Sequence, residues 1–165
     1  MIGLHITKLI GDISSYNFKN KFDIVYNTGL IEHFSENKQD KIISNTYDSL
    51  KEGGYYITLN PYSGGKFTIK YMKVAKQKNT WDYGEEDMFI NSLKQFQKKE
   101  FVLVKEYPCC SLLQLSMFFY GNRLLFILLL PIILFFRYFY LYPVDLLFKK
   151  YLGQYGLMSV FKKIN

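Results

Sequence analysis

The spacing of apolar positions changes along the chain, and each change predicts an element. Leu4 to Ile10 is a short apolar stretch interrupted by Thr7 and Lys8 and closed by Gly11-Asp12; it reads as a strand. Phe22 to Tyr26 is apolar except for Asp23 and rich in β-formers, which predicts a strand buried on both faces. Lys38 to Lys51 places Ile43, Tyr47 and Leu50 on one side, a helical spacing, with Ser35 suited to the N-cap and Gly53-Gly54 to the stop. Tyr55 to Leu59 is a second β-rich run, ended by Asn60-Pro61. Strand, helix and strand with short connections predict a βαβ unit and a parallel sheet. Residues 61–84 read as a long polar loop with room for one short helix near Tyr71 to Lys76. Glu85 to Lys99 has helical spacing, with Met88, Phe89, Leu93 and Phe96 on one face and Glu85, Glu86 and Asp87 at the positive end of its dipole. Phe101 to Tyr107 reads as a strand, and Leu157 to Lys163 as a closing one.

Leu112 to Phe148 breaks this alternation. The 13 residues between Arg123 and Arg137 are apolar throughout except for Pro131. As a helix they rise about 20 Å, short of the roughly 30 Å hydrocarbon core of a bilayer. Val144 to Leu152 reads as one more short helix, stopped by Gly153. Three readings stay open for 111–150: a helix or helical hairpin lying in a membrane interface, a transmembrane span, or a helical lid over a pocket. In the first, Arg123, Arg137, Lys149 and Lys150 meet anionic headgroups, and Tyr138, Tyr140 and Tyr142 form an interfacial belt.

Composition narrows the function classes. With 165 residues, 49% of them apolar, the chain suits one domain with a buried core. The net charge of +7 is uneven: residues 109–165 hold six basic side chains and a single acidic one, Asp145. The excess sits in the most apolar third, which favours a membrane surface over nucleic acid, and no Arg-rich or aromatic-interleaved cluster supports the latter. The two cysteines, Cys109 and Cys110, are adjacent, so a disulfide framework is excluded and a reducing compartment is the default. Zinc-type spacing is absent, and Met1 to Asp12 has no secretory signal character. The expected location is cytoplasmic, with a peripheral place at the inner face of the membrane left open.

Gly11 to Pro61 carries the chemistry. In order it contains GDISSYNF, KFDIVYNTGLIEHF and LKEGGYYITLNP. A Gly-Asp pair, then FDxVYxxGLIEHF, then LKxGGYYxxxNP is a rare joint pattern, and it resembles the C-terminal half of class I S-adenosylmethionine-dependent methyltransferases. The resemblance covers 4–60 well, 85–107 and 155–164 loosely, and 111–150 not at all. It implies an α/β fold: a partial Rossmann-like sheet with helices on its faces and an inserted apolar helical segment. The domain would comprise 1–110 and 151–165, with 111–150 as the insertion.

Ligands of open α/β sheets sit at the carboxyl ends of strands. Asp12, Asn27 to Gly29 and Asn60 each follow a strand and are expected to face one crevice. The resemblance implies S-adenosyl-L-methionine as cofactor. Asp12 would accept a hydrogen bond from the adenine amino group, the backbone N–H of Ile13 would reach the ring, and Asn27, Thr28 and Gly29 would lie beside the methionine part. Gly29 fits a place where backbone approaches a ligand closely. Glu32 and His33 follow at the cleft edge; a histidine there can act as general base, bond the substrate or cap the local loop. Tyr62 is a substrate-side candidate. Methyl transfer requires orientation and exclusion of water rather than a triad or a metal, and neither is expected. Ser63-Gly64-Gly65-Lys66 is no phosphate loop, because the first glycine is missing.

In the family, a glycine-rich loop and an acidic residue for the ribose precede the third strand, which Leu4 to Ile10 would match. The sequence begins after both. The expected consequence is exposed apolar surface and an unpaired inner edge, either in a truncated domain or in one completed by a second chain supplying the N-terminal half. The reading is methyl transfer to an unidentified acceptor, small-molecule or lipid-like, impaired in this chain alone. The alternative is a non-catalytic membrane-associated module that keeps half of the fold.

Overall fold

The computed structural model describes residues 9–82, 101–139 and 142–164. The strand expected from Leu4 falls outside them up to Lys8, as do the helix over Glu85–Lys99, Tyr140, and the side chains of Arg137 and Tyr142. Leu9 and Ile10 lie in coil.

Four strands form one sheet: β1 (Phe22–Thr28), β2 (Leu50–Pro61), β3 (Phe101–Cys109) and β4 (Gly156–Lys163), in the spatial order β1-β2-β4-β3. β1 pairs parallel with β2 across helix α1 (Glu36–Ser49), the expected βαβ unit. β4 is antiparallel to both β2 and β3. Three strands therefore run one way, and their carboxyl ends, at Thr28, Pro61 and Cys109, lie along one edge of the sheet.

The core lies on the α1 side: Ile31, Ile43, Leu50, Tyr56, Phe101 and Phe161, with Val25, Tyr47 and Leu103 against them. The ring of Tyr47 meets Phe101 edge-on at 5.1 Å, and Tyr56 stacks on Phe161 at 6.4 Å. Such pairs add about 0.5–1.5 kcal/mol beyond burial.

Two expectations are corrected here. Gly53-Gly54 does not stop α1. The helix ends at Ser49, and β2 begins at once with Leu50. Gly53, at φ +71°, and Gly54, where a Cβ would meet the Lys51 carbonyl oxygen at 2.9 Å, form a bulge inside β2. The pairing accordingly jumps from Phe22↔Leu50 to Ile24↔Tyr55. Nor is β1 buried on both faces: Ile24 and Tyr26 are 58% and 75% exposed. Among the described residues β1 pairs with β2 alone, so it is a sheet edge.

The stretch expected to be a loop contains a 12-residue helix, α2 (Lys66–Gln77). Its first turn is satisfied from afar: the buried Gln114 side-chain oxygen accepts from the N–H groups of Phe67 (3.1 Å) and Thr68 (3.3 Å). Gln114 belongs to a 3-10 segment, Leu112–Met117, that opens the apolar region. A single helical turn follows, α3 (Phe118–Gly121), then α4 (Arg123–Tyr138) and α5 (Tyr142–Leu152). Gln114 also donates to the Leu152 carbonyl at 2.9 Å, and the buried Asp145 carboxylate of α5 accepts from Leu112 N at 2.9 Å. Gly153, at φ +73°, turns the chain from α5 toward β4. No helix among the described residues is long and apolar enough to cross a membrane.

Lys163 closes the core. Its buried Nζ donates to the carbonyls of Leu50 (2.7 Å) and Tyr47 (3.0 Å) and to Asn20 Oδ1 (3.2 Å). A cation thus sits at the C-terminal end of α1, where the helix dipole favours it. Replacing Lys163 with Met removes this buried donor, although the Tyr47 carbonyl keeps the Leu50 N–H. We expect Lys163→Met to lose about 2–3 kcal/mol in urea unfolding at unchanged slope.

Candidate functional site

The carboxyl ends of β1 and β2 are joined by a buried polar ladder. Tyr56, Thr58 and Asn60 alternate along β2, so all three face the α1 side, and each is at most 1% exposed. Asn27, at the end of β1, donates its amide to the Tyr56 hydroxyl at 2.5 Å. The Thr58 hydroxyl lies 2.7 Å from Asn27 Oδ1 and 3.2 Å from Asn60 Oδ1. It has one proton, and the shorter contact takes it. Burial, the largest influence, raises the Tyr56 pKa well above its ordinary value, and the nearby Glu32 charge adds to this. Tyr56 therefore stays a neutral phenol.

The amide nitrogen of Asn60 has no hydrogen-bond partner among the described residues. Rotating that amide by a half-turn would pair the nitrogen with Thr58 and leave the oxygen unpaired instead. Either way, a fully buried polar group at the tip of β2 is left for something else to bond.

Gly29 turns the chain away from β1 with φ +57°, and its N–H donates to the Leu59 carbonyl at 2.9 Å. The short 3-10 turn Ile31–His33 follows. Ile31 is wholly buried in the core and anchors it. Glu32 is 2% exposed, and its Oε1 would lie 3.4 Å from a Cβ on Gly29. His33 is more open, with Nε2 3.9 Å from that same oxygen. The buried Gln39 donates to the Phe34 carbonyl at 2.7 Å and ties the turn to α1. Tyr62, half-buried, follows the tip of β2; its N–H donates to the Tyr155 carbonyl at 2.8 Å, and its ring packs over Gly64, where a Cβ would come within 2.5 Å. Asn27, Gly29, Glu32, His33, Asn60 and Tyr62 thus gather at one end of the sheet.

Asp12 and Ile13 sit on a turn held against α1. The Asp12 carboxylate accepts from Ser14 N at 2.8 Å, and Asn45 of α1 donates to the Ser14 carbonyl at 2.9 Å. The Ser14 bonds, with Lys38 and Lys41 nearby, hold Asp12 below the usual carboxylate range. Ile13 lines an apolar cavity of about 200 Å³ with Tyr16, Phe18, Phe22, Val25 and Ile42. Phe22 begins β1 and Thr28 ends it, about 20 Å apart at the strand rise. The cavity follows the first half of β1, whereas Lys38 and Lys41, the cations near Asp12, stand in the first turns of α1, the helix end next to the tip of β1. Asn27, Gly29 and Asn60 come together at the strand tips, and Asp12 bonds Ser14 on the neighbouring turn.

Among the described residues no cluster of His, Cys, Asp or Glu could hold a metal ion. The sulfurs of Cys109 and Cys110, at the tip of β3, lie 3.4 Å apart. That contact and burial push the Cys109 thiol up, which leaves no thiolate nucleophile there. Tyr56 and Thr58 did not emerge from the motifs. Their signal was period-two: polar residues at alternate positions of a strand whose remaining pattern is buried.

No protein-family model matches the sequence, and no curated protein matches it. Solved structures do. The N-methyltransferase NodS from Bradyrhizobium japonicum, in complex with S-adenosyl-L-homocysteine, matches at a TM-score of 0.51 and 9% identity over 94% of this chain and 53% of its own. Geranyl diphosphate C-methyltransferase from Streptomyces coelicolor matches at a TM-score of 0.53 and 10% identity over 94% of this chain and 54% of its own. The [4+2]-cyclase SpnF matches at a TM-score of 0.50 and 16% identity over 93% and 54%. The chain spans little more than half the length of these proteins. It has the Rossmann-like fold of class I methyltransferases. At these identities that establishes the fold and not the reaction, since a cyclase shares it.

Two substitutions test the geometry of the tips. Gly29→Ala forces a side chain into the left-handed region and should cost about 1–2 kcal/mol. Tyr56→Phe removes the hydroxyl that Asn27 bonds and should cost about 1 kcal/mol. Denaturant unfolding measures both, and a Tyr56→Phe protein as stable as the parent would contradict the ladder.

Proposed function

We propose that the chain is the acceptor-side part of an S-adenosyl-L-methionine-dependent methyltransferase that acts on a hydrophobic, lipid-like acceptor at a membrane surface. The observation that carries this reading is the buried, unpaired amide of Asn60 beside Gly29 at the strand tips, on the sheet edge from which the apolar helices emerge. Ligands of this fold class bind at that edge.

The cofactor, when bound, supplies a methyl carbon on a sulfonium, a leaving group good enough to need no metal. The chain's part is placement. Gly29 lets the ligand approach the backbone of the β1 tip. Asn27 and Thr28 flank it, and Asn27, with both amide ends already bonded, acts by fixing the tip. The unpaired end of Asn60 orients a polar atom of the ligand. With the cofactor bound, the acceptor's lone pair would take the methyl carbon as the carbon–sulfur bond broke, leaving S-adenosyl-L-homocysteine as the product, and these residues would hold the two molecules in line. A proton released from an O–H or N–H acceptor passes to His33 or to Glu32 beside it; Tyr62 lines the acceptor side. Asp12 and Ile13 are assigned to the adenine, with the rest of that site completed by a second chain. The exposed edge of β1, with Ile24 and Tyr26, supports such a partner supplying the N-terminal half of the sheet.

The membrane part of the proposal rests on α4 and α5. Leu124, Ile127 and Leu128 of α4 and Leu146 and Leu147 of α5 are all more than half exposed, with Arg123, Lys149 and Lys150 as exposed cations around them. The domain boundaries at 111 and 150 follow the same division. A peripheral position at the inner face of a membrane fits this surface.

Titration calorimetry with S-adenosyl-L-homocysteine and flotation on anionic vesicles test the reading together. We expect saturable heat from the folded chain, weakened about tenfold or more in Gly29→Ala. Flotation without any heat at millimolar ligand would instead support the second reading, a non-catalytic membrane-associated module.

A further inference from the structure

A second pocket lies away from the strand tips, between the end of α2 and the start of α4. It encloses about 270 Å³ and is lined by Lys78, Thr80, Phe119, Tyr120, Gly121 and Arg123. Its frame is tightly built. Asn79, at φ +51°, and the 2.9 Å bond from Thr80 N to the Ala75 carbonyl fold the end of α2 back on itself. Gly121 sits so close to the Tyr71 ring that a Cβ there would come within 2.0 Å. Phe118 packs on Tyr71 at 5.4 Å, and Trp81 on Tyr120 at 5.3 Å.

The lining presents two cations, and no salt bridge to either is found among the described residues. The Arg123 guanidinium lies 5.5 Å from the Phe119 ring centroid, which leaves its N–H groups free to point elsewhere. Asp82, four residues after Lys78, is exposed and not part of the lining. The site does not rely on the helix end, because Asn122 Oδ1 already accepts from Leu125 N at 3.1 Å. Two cations without a carboxylate partner among the described residues, in a small concave pocket, suit a tetrahedral oxyanion, while the Thr80 hydroxyl turns to the Ala75 carbonyl at 3.4 Å. Exposed Leu124, Ile127 and Leu128 continue from Arg123 along α4.

We infer that this pocket binds the phosphate of an anionic phospholipid headgroup, with the acyl chains lying along the exposed face of α4. The inference rests on the membrane-surface reading above and adds a specific headgroup site to it. It also distinguishes two kinds of cation: Lys78 and Arg123 act by contact, Lys149 and Lys150 by diffuse attraction to the surface.

The experiment compares the full chain with Lys78→Gln/Arg123→Gln and with the charge-matched control Lys149→Gln/Lys150→Gln. Binding to phosphatidylcholine vesicles with and without phosphatidylglycerol is measured in low salt and in about 1 M salt, where the screening length falls to about 3 Å. Equal melting temperatures establish that the variants are folded, and Lys78→Gln alone is the fallback. We expect both doubles to bind more weakly in low salt, and in high salt only the pocket double to remain weaker, by about tenfold. Equal losses in the two doubles at both salt concentrations would overturn the pocket and leave the membrane reading standing. Absence of vesicle binding by the parent chain would overturn both. Titration with glycerol 3-phosphate separates the sources: tight binding of it by the parent, lost in the pocket double, without any preference for anionic vesicles, would make this a site for a soluble phosphate and overturn the lipid assignment.

Discussion

β2 must bury a phenol, a hydroxyl and an amide on one face, and much of the functional end of the structure follows from how these groups are satisfied. Tyr56, Thr58 and Asn60 lie on an inner strand, out of reach of bulk water. Unpaired, each would cost about 1–3 kcal/mol. Asn27 meets the demand from the neighbouring strand by bonding Tyr56 and Thr58 together. That requires β1 and β2 to keep a parallel register in which Asn27 stands opposite Thr58. The bulge at Gly53-Gly54 is compatible with that register only because it absorbs its extra residues before Tyr55. The ladder ends in an amide with one end unpaired, which is the chemical reason to regard the tips as a place where something binds.

The same sheet edge gathers the other features. β3 ends at Cys109, and the chain leaves it directly into the Leu112–Met117 turn and the apolar helices. Gln114 and Asp145 fasten that segment to α2 and to itself through buried side chains. The fastening accounts for why α4, whose residues are apolar nearly all round, stays attached to the domain while leaving much of its surface uncovered. A segment so attached and so exposed at the strand tips connects two separate observations, polar strand tips and an apolar surface, and the proposed function joins them by bringing a hydrophobic molecule to a polar site.

Much of this was legible in the sequence, for physical reasons that differ from part to part. The βαβ unit was readable because apolar period and turn residues agree over 22–61, and the four described strands occur where β-rich runs predict them. The end of α1 was misplaced because Gly53-Gly54 serves a bulge as well as it would serve a helix stop. α2 was underestimated because its first turn depends on Gln114, far away in sequence. The exposed face of β1 could not be seen from its composition, since Ile24 and Tyr26 are as apolar as a doubly covered strand requires. At the site, Asn27, Gly29 and Asn60 converge as their positions after strands imply. Asp12 sits on a turn that Asn45 and the apolar contacts of Ile13 hold against α1.

The central claim is that the tips of β1 and β2 form the ligand end of this chain. The most direct measurement is a titration of the ¹⁵N-labelled protein with S-adenosyl-L-homocysteine, following the backbone amide of Gly29 and the side-chain amide of Asn60. The account predicts that both resonances move together and saturate with a common dissociation constant. Saturable shifts elsewhere, with Gly29 and Asn60 unmoved, would contradict it.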